Sequence, residues 1–166
     1  MSNSLEARQS VLSEGRWHKI GVLERGIYTL DKAFLEGELG LNIRDIDPAT
    51  IRIFSDGNGG MLPQPNGDFR QGFTENTILV TGSSDGSFDD GDQIIFYGNG
   101  PDRHRLEEDG TLVYEKNIYS DTSFYFINIG AEQGLRVESQ AQLSSDGAPV
   151  FDYFDDYLSY EQDVLS

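Results

Sequence analysis

Apolar positions along the chain fall in short runs, many alternating with polar ones, and Gly, Asn, Asp or Pro interrupts each run within a few residues. Alternation places successive side chains on opposite faces of a strand, so the pattern predicts many short strands joined by tight turns. Trp17-His18-Lys19-Ile20-Gly21-Val22 alternates large apolar with polar residues, and Glu24-Arg25-Gly26 offers a turn before Ile27-Tyr28-Thr29-Leu30. The two segments read as an opening hairpin. Asp31 can cap a short helix reaching about Leu39, because Leu30/Phe34 and Leu35/Leu39 share a helical face and Gly40 suits a helix end.

Ile46-Asp47-Pro48 turns the chain into a strand at Ile51-Arg52-Ile53-Phe54, after which an irregular stretch runs to about Phe73. Residues 76–81 and 93–97 read as two strands whose central runs, Ile78-Leu79-Val80 and Ile94-Ile95-Phe96, suit burial in a sandwich. Further strands are expected at 112–115, 122–129 and 135–138. No self-similar period recurs, so a solenoid or propeller is not supported. The expected fold is all-β: a jelly-roll-like β-sandwich of roughly eight to ten strands with one short helix.

With 166 residues the chain is long enough for one ordinary domain. Its expected divisions are a lead-in at 1–14, disordered or foreign to the domain, the sandwich at 15–150, and an acidic, aromatic segment at 151–166 leading into a further domain. Twelve Lys and Arg against 29 Asp and Glu give a net charge of -17, which repels nucleic-acid phosphates and anionic lipid headgroups. The charge suits divalent cations, a basic protein partner or plain solubility. The absence of cysteine removes disulfides, thiolate metal sites and a thiol nucleophile together. No run approaches the roughly 18 apolar residues of a membrane span, and residues 1–12 lack the signature of a signal peptide.

The glycines of Asp56-Gly57-Asn58-Gly59-Gly60 are not followed by Gly-Lys-Ser/Thr or by a helix, so they read as turn residues rather than a phosphate loop. Asp85-Gly86-Ser87-Phe88-Asp89-Asp90-Gly91-Asp92 gathers hard oxygen ligands, making Asp85, Ser87, Asp89, Asp90 and Asp92 the candidate calcium site. The glycine is displaced from its EF-hand position, and Phe96 stands where that motif needs a bidentate Glu. The favoured alternative is a turn in which the Asp side chains accept backbone hydrogen bonds. His18 lies in an alternating strand and His104 between two arginines in a polar loop, so neither reads as a paired ligand or a triad base. No acidic pair stands out as catalytic. Two interaction segments are expected: the Met61-Leu62-Pro63 loop, and the end of the chain, where Phe151, Tyr153, Phe154, Tyr157 and Tyr160 are interleaved with acids.

Gly15-Arg16-Trp17-His18-Lys19-Ile20-Gly21-Val22, followed by Gly26-Ile27-Tyr28-Thr29-Leu30, resembles the opening of the PorU-type sortases of the type IX secretion system in Bacteroidetes, gingipain-like cysteine peptidases of family C25. Ile51-Arg52-Ile53-Phe54, Gly59-Gly60-Met61-Leu62-Pro63, Glu75-Asn76, the Asp85 to Asp92 loop, Phe96-Tyr97-Gly98-Asn99-Gly100-Pro101 and Asn117-Ile118-Tyr119-Ser120 follow in that family's order, so the likeness covers about residues 15–163. The resemblance implies a surface-facing, outer-membrane-associated enzyme that cleaves carboxyl-terminal signals from secreted cargo and attaches the cargo to an anionic lipopolysaccharide. The family's catalytic His and Cys belong to a downstream domain, and without a cysteine no catalytic residue carries over to this chain.

The chain itself is therefore expected to be a non-catalytic amino-terminal domain, propeptide-like or accessory, whose partners are the downstream catalytic domain, secretion-system proteins or cargo. The alternative is an independent calcium- or carbohydrate-binding module of a surface protein, with its single Trp and its Tyr residues stacking on sugar rings. A free-standing hydrolase ranks third.

Overall fold

The computed structural model describes residues 11–13, 15–57 and 72–139. Met61, Leu62, Pro63, Phe151, Tyr153, Phe154, Tyr157 and Tyr160 lie outside them, as do the expected division at 151–166 and all of that at 1–14 except 11–13. The described residues form nine strands: β1 (Trp17–Val22), β2 (Gly26–Asp31), β3 (Ile51–Ser55), β4 (Thr74–Asn76), β5 (Leu79–Thr81), β6 (Gln93–Gly98), β7 (Arg103–Leu106), β8 (Leu112–Glu115) and β9 (Ser123–Ile129), with burial alternating most regularly along β2, β6 and the first part of β9. They pair antiparallel into a four-stranded sheet of order β1-β9-β3-β4, a three-stranded sheet of order β2-β6-β5 and the hairpin β7-β8.

The first sheet turns Ile20, Val22, Ile51, Ile53, Tyr125 and Ile127 inward, and the second answers with Leu30, Ile94 and Phe96. The Phe96 and Tyr125 rings meet across the layer with centroids 5.3 Å apart. Burying each large apolar side chain contributes roughly 1.5–3 kcal/mol, which makes this two-sheet core the main source of stability. The fold is all-β, as the alternation predicts.

One α-helix, α1 (Lys32–Gly37), closes the end of the core by burying Leu35 completely. Asp31 caps it as expected, its carboxylate accepting the Phe34 N–H at 2.8 Å. The helix stops two residues short of Leu39. The N–H groups of Glu38 and Leu39 both close onto the Phe34 carbonyl, and that of Leu41 turns back to Leu35.

Four expectations need correction. β1 and β2 form no hairpin: β1 pairs with β9 and β2 with β6. A tight hairpin turn needs left-handed backbone, and no residue between Val22 and Ile27 has it. The chain instead arches between layers, so that Val22 and Leu30 face the same core from opposite sheets. Residues 76–81 are likewise split, because Asn76 pairs with Ile53 in one sheet and Leu79 with Ile95 in the other. The fully buried Ile78 sits at the crossing. His104 lies in β7 rather than in a loop, where Arg103 and Arg105 are both paired to Glu115 across the hairpin. Residues 135–138 form no strand, only a parallel bridge from Arg136 to Ile78.

Candidate interaction surfaces

The outward face of the four-stranded sheet is unusually aromatic. Register aligns Trp17, Asn128 and Arg52 in one row, Lys19, Phe126, Phe54 and Glu75 in the next, and Gly21 with Phe124 in a third. Trp17 stands edge-on to Phe54 at 5.2 Å, Phe73 edge-on to Phe126 at 4.8 Å, and the Lys19 ammonium lies 3.4 Å from the centre of the Phe124 ring. Such pairs add stabilisation beyond area burial. Phe54 is buried yet takes no part in the inter-sheet core. Trp17 and the Arg52 guanidinium, 4.9 Å from its ring centre, cover it from outside.

Arg52 is fixed in turn by carboxylates. Its Nη2 donates to Glu75 Oε2 at 2.7 Å and its Nη1 to Glu132 Oε2 at 2.6 Å, while Glu75 Oε1 accepts the Leu135 N–H at 2.7 Å. Hydrogen bonding to Glu75 holds the guanidinium further into its charged form. At this end of the sheet a cleft of about 390 Å³ opens between Trp17, Phe54, Ile129 and Glu132. Gly15 lies in its wall with φ +91°, and a Cβ there would come 3.0 Å from the Asn128 amide nitrogen. That amide donates to the Arg16 carbonyl at 3.1 Å, so Gly15 is needed both for its backbone and for its bareness.

The outward face of the three-stranded sheet exposes large apolar side chains beside the polar Thr29, Asp31 and Gln93. Ile27 pairs with Tyr97, and Ile95 lies between Thr29 and Leu79. Ile27 is 68% exposed, Tyr97 50% and Leu79 42%, whereas Ile95 is half-buried among them. Large apolar side chains exposed side by side on one sheet face make it a candidate interaction surface.

The five candidate calcium residues lie in one loop, and the side chains of Asp85, Asp90 and Asp92 turn to different partners. Asp85 accepts the Ser87 N–H at 2.9 Å, Asp92 accepts the Asp89 N–H at 2.8 Å, and Asp90 pairs with Lys32 at 3.0 Å. The pairing with Asp90 raises the Lys32 pKa. Phe88 inserts into the core and Asp92 is buried against Gly82. Among the described residues, no group of three or more His, Asp or Glu side chains is placed to hold a metal ion. His18 and His104 stand on separate sheets, His104 with its ring 5.2 Å from that of Tyr114.

No protein-family model matches the chain, and neither does any curated protein. Among solved structures it is similar to the dimeric latent PorU from Porphyromonas gingivalis, with 26% identity and a TM-score of 0.52 over 84% of this chain. It is similar to part of PorU. That part is small, because the chain spans only 12% of the PorU chain's length. The all-β architecture is therefore shared with a segment of a much larger protein. No helix among the described residues is long and apolar enough to cross a membrane.

The sequence reading missed both outward faces. Their one signal was apolar residues at both parities of a strand: Ile53 beside Phe54, Tyr125 beside Phe126, Ile94 beside Ile95.

Proposed function

We propose that this chain is a non-catalytic interaction domain of a PorU-like protein of the cell surface, the type IX secretion sortase of its organism. The observation that carries the reading is the likeness to a 12% segment of PorU, in agreement with the order of short motifs along the sequence. The lack of any cysteine supports a role in contact rather than in peptide-bond chemistry, since a family C25 nucleophile must then lie elsewhere. The open face of Ile27, Leu79, Ile95 and Tyr97 is the surface we assign to packing against the cysteine-peptidase domain of the same protein. Four apolar side chains on a rigid sheet are suited to a buried interface core, which favours aromatic and aliphatic anchors.

The test is to express that peptidase domain from the same gene and titrate it with this chain by calorimetry. A saturable complex is expected, weakened at least about tenfold by Ile27→Asp or Tyr97→Asp, each of which puts a charge at the centre of the interface. A gene without a His- and Cys-bearing peptidase domain, or a complex indifferent to both substitutions, overturns the reading.

A further inference from the structure

Among the described residues Asp is followed by Gly at four places: 56–57, 85–86, 90–91 and 109–110. The pairing matters chemically, because a glycine sets no side chain between its own nitrogen and the preceding carboxyl group. When that nitrogen attacks the Asp Cγ, a succinimide ring closes and water leaves. Two of the pairs are held against this attack on both sides of the bond. The Gly86 N–H donates to the Ser83 carbonyl at 3.2 Å, while the Asp85 carboxylate accepts the Ser87 N–H at 2.9 Å. The Gly110 N–H donates to the Glu107 carbonyl at 3.0 Å, and Asp109 accepts the Thr111 N–H at 2.8 Å. Asp56 is half-buried and engaged with its surroundings.

Asp90-Gly91 differs, because its turn is pinned only at the ends. The Asp92 N–H donates to the Asp89 carbonyl at 3.1 Å, and the Asp92 carboxylate accepts the Asp89 N–H at 2.8 Å. Between these pins the Gly91 N–H meets no acceptor among the described residues, which leaves the Asp90–Gly91 peptide plane free to rotate. Gly91 takes φ +97°, and a Cβ added to it would have nothing within 4 Å, so the approach to the bond is open. The Asp90 side chain is 93% exposed and pairs with Lys32 at 3.0 Å. An exposed ion pair of this kind holds a carboxylate only weakly. We propose that Asp90 is a modification site, at which the chain passes without an enzyme from aspartate to isoaspartate. The Gly91 nitrogen bonds to the Asp90 Cγ, gives up its proton and expels a carboxyl oxygen as water. Water then opens the ring at the main-chain carbonyl, so that the chain runs on through the former side-chain carboxyl. The water lost is regained, and nothing is oxidised or reduced. The extra methylene in the backbone draws the Asp89 N–H away from Asp92 and loosens the turn that leads into β6.

The intact 166-residue chain is aged at physiological temperature and neutral pH, once native and once in urea, then digested and read peptide by peptide, with electron-transfer fragmentation telling isoaspartate from aspartate. Site-by-site reading is needed because Asn58-Gly59, Asn66-Gly67 and Asp146-Gly147 can yield the same product. In the native chain isoaspartate should build up at Asp90 at least about fivefold faster than at Asp85 or Asp109, where two hydrogen bonds must first be released. In urea the three rates should converge, since each Asp then precedes an unbonded glycine. Asp90→Glu should remove the product at that position, because the larger ring closes far more slowly. Asp90→Asn should hasten it, because ammonia is the easier group to expel. Isoaspartate appearing first at Asp85 or Asp109 in the native chain overturns the proposal. So does none at Asp90 by the time the urea-treated chain carries it at all three, or a preference for Asp90 that persists unchanged in urea.

Discussion

Arg136 supplies the sharpest test of how the return segment after β9 is held. Its Nη2 donates to the carbonyls of Pro48, Ala49 and Ile51 at 2.8, 2.8 and 3.0 Å, and its Nη1 to that of Leu135 at 3.0 Å. The guanidinium thus staples the chain around 134–137 onto the turn that launches β3. Burial lowers its pKa, with the more distant Glu75 and Asp47 opposing that effect. Arg136→Met keeps the aliphatic stem and removes the donors. Each hydrogen bond to a charged group contributes about 1.5–3 kcal/mol. The Pro48 carbonyl keeps the Ile51 N–H and the Ala49 carbonyl keeps the Gly134 N–H, so neither is orphaned. Relief of guanidinium desolvation offsets part of the remainder. The net loss expected is the worth of one such bond, about 1.5–3 kcal/mol, or a fall in melting temperature of about 3–12 °C. Arg136→Lys should recover part of this, since a single ammonium cannot span the same carbonyls. Thermal and urea unfolding followed by circular dichroism measure both. If Arg136→Met melts within about 1 °C of the parent, or if Lys serves as well as Arg, the staple does not hold the fold.

Gly82→Ala should destabilise by more than the roughly 1–2 kcal/mol of left-handed backbone strain. At φ +78° its new Cβ would fall 1.5 Å from Asp92 Oδ1 and drive that carboxylate off the Asp89 N–H. Urea midpoints should show the double variant Gly82→Ala/Asp92→Ala losing less than the two single losses combined; strict additivity would dismiss the contact. Glu115 is held below the usual carboxylate range chiefly by its hydrogen bond to Arg103, with Arg105 adding to it. Its depressed folded-state pKa gives stability that is complete above the unfolded value, near about 4.3, and lost as pH falls through the folded one. The stability gap between parent and Glu115→Gln should therefore be constant above about pH 5.5 and shrink below about pH 4, and a gap that widens with acid would contradict the sign.

What the sequence made legible was local. The Asp31 cap, the alternation of Ile20 and Val22, and the strand at Ile51-Arg52-Ile53-Phe54 depend on residues within one turn or one strand, and all three are present. Which sheet a strand joins depends on distant partners. The arch at 23–25 looks like a turn whether the chain doubles back or crosses the core. The same holds for Arg52, whose partners Glu75 and Glu132 lie far along the chain, and for Arg136, whose carbonyl partners carry no side-chain signal at all. The cleft is illegible for that reason too, since Trp17, Phe54 and Glu132 meet only once β9 has come between β1 and β3.

The apolar runs carry a further lesson about function. Ile78-Leu79-Val80 and Ile94-Ile95-Phe96 imply strands covered on both faces, because a sheet with one wet face favours polar residues at every second position. In the structure one side is covered: Ile78, Ile94 and Phe96 are sealed, while Leu79 and Tyr97 open to solvent on the other side of the same strands. The discrepancy has a physical resolution in the proposed docking. On the proposed docking, a packed domain beside Ile27, Leu79, Ile95 and Tyr97 would supply the second layer that such a face suits. Solvent accessibility of the Tyr97 ring, compared between the chain alone and the longer protein, decides between that resolution and a merely tolerated apolar surface.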